Sequence, residues 1–276
     1  FKQRAKRIAE INKDWALRGL GQLDLLESTD ESQTLIVANR SHSSISAGIA
    51  NAAWECISEK RFKFQWSDRG AGETLIEVSD DPREIPSPSE MTVKWSNIEV
   101  SLQDSESFFD RARHESDGVW TVEGNRGIIL YLDHILRFEN LSIPYLAECV
   151  RKSDYSTEWI GIEDKEKLVL WDAMADASRL QLLASGDLVL VAEPEHWVTV
   201  SKQYLSKQGL GVITEAEAID EHGGVRLVLP GLFHPAITIG RLLGCWERSE
   251  GRQGKAKWKS TKSGHEVELR SKRDIS

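Results

Sequence analysis

The sequence predicts an α+β protein with two copies of one α-β-β-α-β-β module, each with a four-stranded antiparallel sheet, and an insert of helices and strands between them. Three observations lead to this prediction. The chain matches itself at a fixed shift, its apolar residues follow helical and strand periods in turn, and a Pro- and acid-rich stretch follows the first copy. We expect the two copies to adopt a pseudo-two-fold arrangement, as repeated modules commonly do.

The internal repeat emerges when residues 35–79 are aligned with residues 227–271, a shift of 192 without gaps. Ten of the 45 aligned positions are identical, and two of these are tryptophans, which seldom coincide. The identical pairs are Leu35/Leu227, His42/His234, Ile45/Ile237, Gly48/Gly240, Trp54/Trp246, Glu55/Glu247, Lys63/Lys255, Trp66/Trp258, Gly72/Gly264 and Ser79/Ser271. Upstream, Gly19-Leu20-Gly21 corresponds to Gly209-Leu210-Gly211 after a slip of two residues, which a turn would absorb. We therefore predict a duplicated module.

The order of elements within a copy follows from hydrophobic periodicity, which is 3.6 residues in a helix and two in a strand. In the first copy it predicts a helix over 4–17, strands over 22–27 and 34–38, a helix over 44–59, and a hairpin that turns at 69–72. Gly19 ends the first helix, because glycine accepts a left-handed cap without strain. In the second copy the pattern predicts a helix over 197–207, strands over 212–218 and 225–229, a helix over 237–248, and hairpin strands over 255–259 and 266–270.

Domain boundaries follow from the repeat and from a local excess of proline. The predicted segments are a first repeat (1–80), a Pro- and acid-rich linker (81–91), a middle α+β segment (92–195) and a second repeat (196–276). We interpret the middle segment as the N-terminal part of the second domain. Its predicted elements are strands near 92–102 and 127–132 and helices near 142–151, 165–176 and 179–183.

Composition excludes several classes of protein. Of the 276 residues, 40% are hydrophobic and 29% are charged, which excludes wholesale disorder, and the net charge of −9 argues against general nucleic-acid binding. Three widely separated cysteines predict a reducing, cytoplasmic setting, and no apolar run is long enough to span a membrane. The chain begins at Phe1 without Met, which indicates a trimmed start.

The C-terminal end carries a local basic excess. Residues 245–276 contain nine Lys or Arg against five Asp or Glu. The favoured interpretation is a solvated edge hairpin that lysines protect from pairing, and the alternative is contact with an anionic partner.

Residues 18–79, which begin RGLGQLDLL, and residues 208–271, which begin QGLGVITEA, resemble the V4R (4-vinyl reductase-like) domain. That family shows a Gly-x-Gly turn after a helix, then two strands, an amphipathic helix and a closing hairpin. The same outline is similar to the cellulose synthase D protein of bacteria. The resemblance implies either a module that binds a small hydrophobic ligand or an oligomeric scaffold. Many V4R domains carry a metal or redox cysteine in the closing hairpin, whereas the matching stretches 64–79 and 257–271 contain none.

The candidate ligand- or partner-binding residues recur in both copies: His42, Trp54, Trp66, His234, Trp246 and Trp258. Each histidine precedes the main helix of its copy, where it either contacts a ligand or caps the helix entry. The first tryptophan of each copy lies on that helix and the second on the following strand. Packing of helix on sheet accounts for both tryptophans, and a cleft that they line for an apolar or ring-bearing ligand is the alternative.

No catalytic residue, metal site or cofactor is predicted, because the sequence contains no GxSxG, HExxH or GxGxxG motif and no phosphate-binding loop. The repeated Glu55 and Glu247 are interpreted as surface ion-pairing groups. The sequence therefore favours a non-catalytic binding or scaffold module, an accessory part of a larger assembly that acts through a protein partner or self-association. A V4R-like sensor or carrier of a small apolar ligand is the alternative, and an enzyme of unknown type is the third interpretation.

Overall fold

The chain forms two compact units, which have separate hydrophobic cores. Unit 1 comprises Phe1–Glu90 and Phe109–Tyr131, and unit 2 comprises Met91–Phe108 and Leu132–Ser276. The structure, a computed structural model, describes residues 2–29, 32–87 and 108–273. Both units combine helices with mainly antiparallel sheets, so the prediction of a mixed α/β protein is confirmed. The strand predicted near 92–102 lies outside the described residues.

Unit 1 is built around a four-stranded antiparallel sheet with the order β1-β2-β4-β3. Its elements, in chain order, are α1 (Lys2–Arg18), β1 (Gln22–Ser28), β2 (Ser32–Ala38), α2 (Ser43–Ser58), β3 (Phe62–Arg69), β4 (Glu73–Asp80), α3 (Phe108–Arg111), β5 (Ala112–Ser116), β6 (Val119–Val122) and β7 (Asn125–Gly127). Strand β3 therefore lies at an edge of this sheet, and α1 and α2 contribute side chains to the same core as its strands.

Helix α2 forms because its buried residues recur at helical spacing and face the sheet. These residues are Ser46, Ala47, Ala50, Asn51, Trp54 and Ile57. The helix ends at Glu59, whose left-handed backbone (φ 57°) lets its N–H donate to the Glu55 carbonyl at 2.8 Å. In α1, the buried Trp15 and the following Leu20 extend the same core toward the Gly19-Leu20-Gly21 turn.

A second, three-stranded sheet, β5-β6-β7, attaches to the Gly-x-Gly turn of unit 1. The Arg126 guanidinium donates to three backbone carbonyls, those of Gly19, Asn39 and Gly118, at 2.7–2.9 Å. The sequence did not indicate β5 and β6. The predicted strand over 127–132 is wrong, since β7 ends at Gly127 and a helix begins at Leu132.

Unit 2 contains a five-stranded sheet with the order β8-β11-β12-β10-β9. Its elements are α4 (Leu132–Ser142), β8 (Thr157–Ile160), α5 (Lys165–Ser185), α6 (His196–Tyr204), β9 (Glu215–Ala218), β10 (Val225–Leu229), α7 (Pro235–Glu250), β11 (Gly254–Thr261) and β12 (Gly264–Ser271). Strand β8 pairs parallel to β11, and all other pairs are antiparallel. The prediction of a four-stranded sheet is therefore wrong for this unit, because β8 adds a fifth strand at the edge.

Two predicted helices of the middle segment need correction. The helix predicted near 142–151 is wrong: α4 ends at Ser142, and only a 3-10 turn follows. Pro144 explains this end, because proline lacks the N–H that would continue the α-helical hydrogen bonds. The helices predicted near 165–176 and 179–183 form one helix, α5. Its ends are capped by the Asp164 side chain, which accepts from the Lys167 N–H, and by Gly186.

The two modules share one element order, α1-β1-β2-α2-β3-β4 in unit 1 and α6-β9-β10-α7-β11-β12 in unit 2, and one strand order in their sheets. A shift of 192 places α2 on α7 and β3 on β11. The same shift is wrong for the last strand. Trp66 lies opposite Ile76 and Trp258 lies opposite Val267, so β4 corresponds to β12 at a shift of 191. The hairpin of unit 2 is one residue shorter. The identities at Gly72/Gly264 and Ser79/Ser271 are therefore not structural equivalents.

Candidate functional site

The first predicted tryptophan of each module lies in the core. Trp54 and Trp246 are fully buried between helix and sheet. The Trp246 indole N–H donates to the Gly223 carbonyl at 2.8 Å, and that of Trp54 to the Gln33 side-chain oxygen at 3.4 Å. Both residues fill the space in which a cleft would otherwise lie.

The two histidines begin equivalent helices with extended backbones, yet neither side chain caps its helix. Both histidines thus occupy the N-cap position, as the capping interpretation expects, but without a side-chain hydrogen bond to the helix backbone. His234 is fully buried and its Nε2 lies 2.9 Å from Glu139 Oε2. His42 is exposed, and its Nδ1 lies 3.1 Å from the hydroxyl of Ser44. The same position is thus covered in unit 2 and more open in unit 1.

The second tryptophans differ in the same way. Trp258 is 2% exposed, whereas Trp66 is 45% exposed although it shares a sheet face with the fully buried Ile76. Phe64, two residues earlier on β3, is 40% exposed. These two rings form an aromatic patch on the helix-bearing face of the sheet, at its β3 edge.

In unit 2, a cluster of aromatic rings covers the corresponding place. Trp159 of β8 and Trp171 of α5 lie with their ring centroids 6.0 and 5.6 Å from that of Trp258, and 5.1 Å from each other. His265 stacks on Trp258 with the ring centroids 5.8 Å apart. Edge-to-face contacts of this kind add to the apolar area that the rings bury.

A buried carboxylate joins this cluster to His234. Glu139 of α4 accepts hydrogen bonds from the Trp171 indole at 2.9 Å and from His234, and it forms an ion pair with Lys167 at 2.6 Å. Burial alone would raise the pKa of Glu139. The hydrogen bonds from His234, Lys167 and Trp171 and the charge of Lys167 outweigh burial and lower the pKa from 4.5 to about 2. All three partners bind the same carboxylate, so Glu139 joins α4 to α5 and to the start of α7.

Helix α5 packs on α7 at several places. A Cβ atom on Gly240 would lie 2.1 Å from the Ala175 carbonyl oxygen, so only glycine permits this approach. The Ser178 hydroxyl donates to the Ile237 carbonyl at 2.8 Å. Arg179 pairs with the second oxygen of Glu247 at 2.8 Å, while the first oxygen accepts from the Gly254 N–H at 2.9 Å.

In α2, the positions equivalent to Ile237, Gly240 and Glu247 carry the same residue types. No helix of the described chain lies on them. Gly48 has no atom within 4 Å of the place where a Cβ would lie. Glu55 accepts from the Phe62 N–H at 2.9 Å, as Glu247 does from Gly254, but no arginine pairs with it among the described residues. The exposed Ala52 and Cys56 continue the same helix face. We call the surface made by Ile45, Gly48, Ala52, Glu55, Phe64 and Trp66 the docking face.

The interpretation of Glu55 and Glu247 as surface ion-pairing groups needs revision. Each carboxylate accepts the N–H of the first residue of the following strand and so fixes the turn between helix and strand. Glu247 is also buried, and its ion pair with Arg179 lies inside unit 2.

The basic C-terminal hairpin presents its charges on the other, solvated face of the sheet. There, directly opposed residues on five strands alternate in charge: Glu158, Lys257, Glu268, Arg226 and Glu217. Lys259 pairs with Glu266 at 2.6 Å. Cross-strand pairs of opposite charge stabilise a sheet, so most of the basic residues already have acidic neighbours. This face of the hairpin is solvated, as expected, but the prediction of an edge hairpin is wrong, because β8 and β10 pair with its two strands.

Surface cavities lie away from the helix–sheet interiors. One of about 450 Å³ opens beside β8 and β11, one of about 680 Å³ beside residues 80–85, and one of about 510 Å³ is lined by residues 188–204. Among the described residues, no group of three or more His, Cys, Asp or Glu side chains could hold a metal ion. In the same part of the chain, no helix has the length and apolar character needed to cross a membrane.

Sequence reasoning missed Glu139, Lys167 and Trp171, which lie in a segment without a repeat partner. It also did not recognise Gly48 as a contact point, although the identity of Gly48 and Gly240 was visible. The available signal was a glycine in the middle of the same helix in both copies. Glycine destabilises a helix at such a position, so its presence in both copies indicates that another segment packs closely against it.

Comparisons with protein-family models, with curated proteins and with solved structures each found no match to this chain.

Proposed function

We propose that this protein is a non-catalytic binding or scaffold module of a larger assembly and that unit 1 binds its partner through the docking face. The observation that carries the proposal is a difference between equivalent positions. Ile237, Gly240, Glu247 and Trp258 are covered by α5 and β8 in unit 2, whereas no described element covers their identical counterparts Ile45, Gly48, Glu55 and Trp66 in this way in unit 1.

Several features support a duplicated origin for the two modules. They share an element order, a strand order, and the hydrogen bond from the first N–H of the strand after the main helix to the carboxylate of that helix. A strand and a helix supplied by another chain would take the place that β8 and α5 occupy in unit 2. An exposed sheet edge with aromatic side chains is a known site of β-augmentation, in which a partner adds a strand.

The proposal includes a cytoplasmic setting and leaves both a separate protein and a second copy of this chain as partners. The filled interiors around Trp54 and Trp246 favour binding at the surface over binding within the core. A V4R-like carrier of a small apolar molecule is the second candidate. It is favoured by the cavity of about 510 Å³ at residues 188–204, which the exposed Leu188 and Leu190 help to line. Native mass spectrometry of the purified protein would reveal such a ligand as added mass.

Site-specific photo-crosslinking tests the binding proposal. A photoreactive amino acid replaces Trp66 in the full chain, expressed in cells of its source, and the control replaces Gln65, which is exposed on the opposite face of the same strand. We expect one crosslinked product of defined mass from position 66 and little from position 65. The product should be lost when Gly48→Leu is added, because the leucine fills the helix part of the docking face. A product of twice the monomer mass would identify a second copy.

Equal crosslinking from positions 65 and 66, or crosslinking from position 66 that Gly48→Leu leaves unchanged, would contradict the proposal. Either result would mean that the aromatic patch and the helix face do not belong to one binding surface.

A further inference from the structure

We infer that the docking face takes a strand–helix segment of a partner chain. Its strand would pair parallel to β3 and its helix would run along α2, as β8 and α5 do on β11 and α7. This inference rests on the proposed function and specifies the kind of partner. It follows from the edge of the sheet, from the face of the helix, and from the side chains that line both.

The strand part follows from the edge of unit 2. Strand β8 pairs parallel to β11 in a register that places Trp159 opposite Trp258 and Thr157 opposite Ala256. The equivalents of Trp258 and Ala256 are Trp66 and Phe64, on a strand that has no neighbour on its outer side among the described residues. A parallel strand on β3 would cover both rings. Because Phe64 is larger than Ala256, the residue opposite it should be small.

The helix part follows from the direction of α5. Ala175 meets Gly240 and, further along, Leu182 meets Gly244, so α5 and α7 run parallel. A strand followed by a helix, both parallel to their neighbours, is the geometry of a β-α unit packed on a sheet. In unit 1 the corresponding positions are Gly48 and Ala52, which provide a shallow strip along α2.

Gly48 has no other evident role. Its backbone is not among the positive-φ glycines, so no turn requires glycine there. Within a helix, glycine is less favourable than alanine. Gly240 offsets this cost by admitting α5, which suggests that Gly48 admits a helix in the same way.

The side chains define the chemistry of the partner helix. It should carry a small residue over Gly48, as Ala175 lies over Gly240. Four residues later it should carry an arginine or lysine that pairs with Glu55. In unit 2, Arg179 pairs with Glu247 in this way. The preceding strand should direct an aromatic side chain onto Trp66.

The chain supplies its own probe, a synthetic peptide of residues 155–187, which spans β8 and α5 and contains no cysteine. The readout is alkylation of the exposed Cys56 on α2, with the exposed Cys149 of unit 2 as internal reference. In unit 2, Arg248 occupies the position of Cys56 and donates to the Asp187 carbonyl just beyond α5. A docked peptide should therefore slow the alkylation of Cys56 by about fivefold or more and leave Cys149 unchanged.

Two variants of the full chain serve as test and control. Gly48→Leu, on an open helix face, should abolish the protection of Cys56, and Gln65→Ala should retain it. Photo-crosslinkers at positions 66 and 52 should attach to the strand part and to the helix part of the peptide, respectively. The opposite assignment would contradict the placement of the strand on β3 and of the helix on α2.

Cys56 alkylation that stays unchanged up to about 1 mM peptide, or protection that persists in Gly48→Leu, would overturn the inference. This failure differs from failure of the proposed function. Crosslinking of a partner at position 66, together with no effect of the peptide, would retain the docking face and reject the strand–helix form of its partner.

Discussion

Trp66 and Trp258 occupy the same position in two similar modules, and their surroundings give them different roles. Trp258 lies within a cage of rings, whereas nearly half of Trp66 faces solvent. Trp258→Ala would remove a buried ring and leave a cavity, so it should lower the free energy of unfolding of unit 2 by about 3–5 kcal/mol.

Trp66→Ala should cost about 1 kcal/mol or less, because much of the ring is already in water. Chemical denaturation that separates the transitions of the two units would measure both changes. Trp54→Ala serves as the control for unit 1 and should cost as much as Trp258→Ala does in unit 2. Equal costs for Trp66 and Trp258 would show that the patch is part of the core.

Glu139 gives unit 2 a pH-dependent stability. Its pKa in the folded state, about 2, lies below the usual 4.5, so the ionised carboxylate stabilises the fold above pH 4.5. That contribution is lost as the pH falls from about 4.5 toward about 2. At pH 7, Glu139→Gln should lower the free energy of unfolding by about 3 kcal/mol.

The difference between wild type and Glu139→Gln should shrink at about pH 3, and denaturation curves at the two pH values would measure it. Glu158→Gln, which changes an exposed carboxylate on the solvated face, is the matched control. A difference that grows toward acid pH would mean that Glu139 is protonated in the folded state.

At the scale of elements, Gly48 and Gly240 form a natural pair for comparison. Gly240→Ala would place a Cβ 2.1 Å from the Ala175 carbonyl and force α5 away from α7, which should destabilise unit 2 by about 2–3 kcal/mol. Gly48→Ala meets open space and should stabilise α2 by up to about 1 kcal/mol, because alanine favours helix.

Thermal unfolding of the two variants would measure this contrast, which should be opposite in sign. Destabilisation by Gly48→Ala would show that another part of the chain already covers the docking face. Stabilisation by Gly240→Ala would mean that α5 does not lie where its hydrogen bond from Ser178 to Ile237 places it.

The elements of the two modules could be predicted because apolar residues recur within them at helical or strand spacing. The elements that cover these modules could not be predicted. Strand β8 is four residues long, which is too short for its alternation to be recognised in the sequence, so the burial of Trp258 had no local signal. The contacts of Glu139 span 95 residues to His234, a distance at which spacing is uninformative. The ungapped alignment also concealed a one-residue slip, because Gly72 and Gly264 coincide by chance.

At the scale of the whole molecule, the buried hydrophobic residues form two clusters that do not share members. One cluster joins residues from Trp159 to Leu269, all in unit 2, and the other joins residues from Ile8 to Val78, all in unit 1. A unit with its own core and a fully hydrogen-bonded sheet can fold by itself. Unit 2 meets this condition better, since β8 covers the edge strand that is equivalent to β3.

We therefore expect a fragment of residues 132–276 to fold cooperatively without the remainder of the chain. Its amide spectrum should retain the chemical shifts that β10, β11 and β12 show in the full protein, and slow hydrogen exchange should persist in those strands. Trp171→Ala in the same fragment is the control, because it removes the ring that joins α5 to Glu139 and Trp258 and should broaden the spectrum. An unfolded wild-type fragment would show that residues 132–276 depend on the rest of the chain. Covering of the sheet edge by β8 and α5 would then not be enough to stabilise the unit. The comparison with unit 2 would in that case give less support to a strand–helix partner for unit 1.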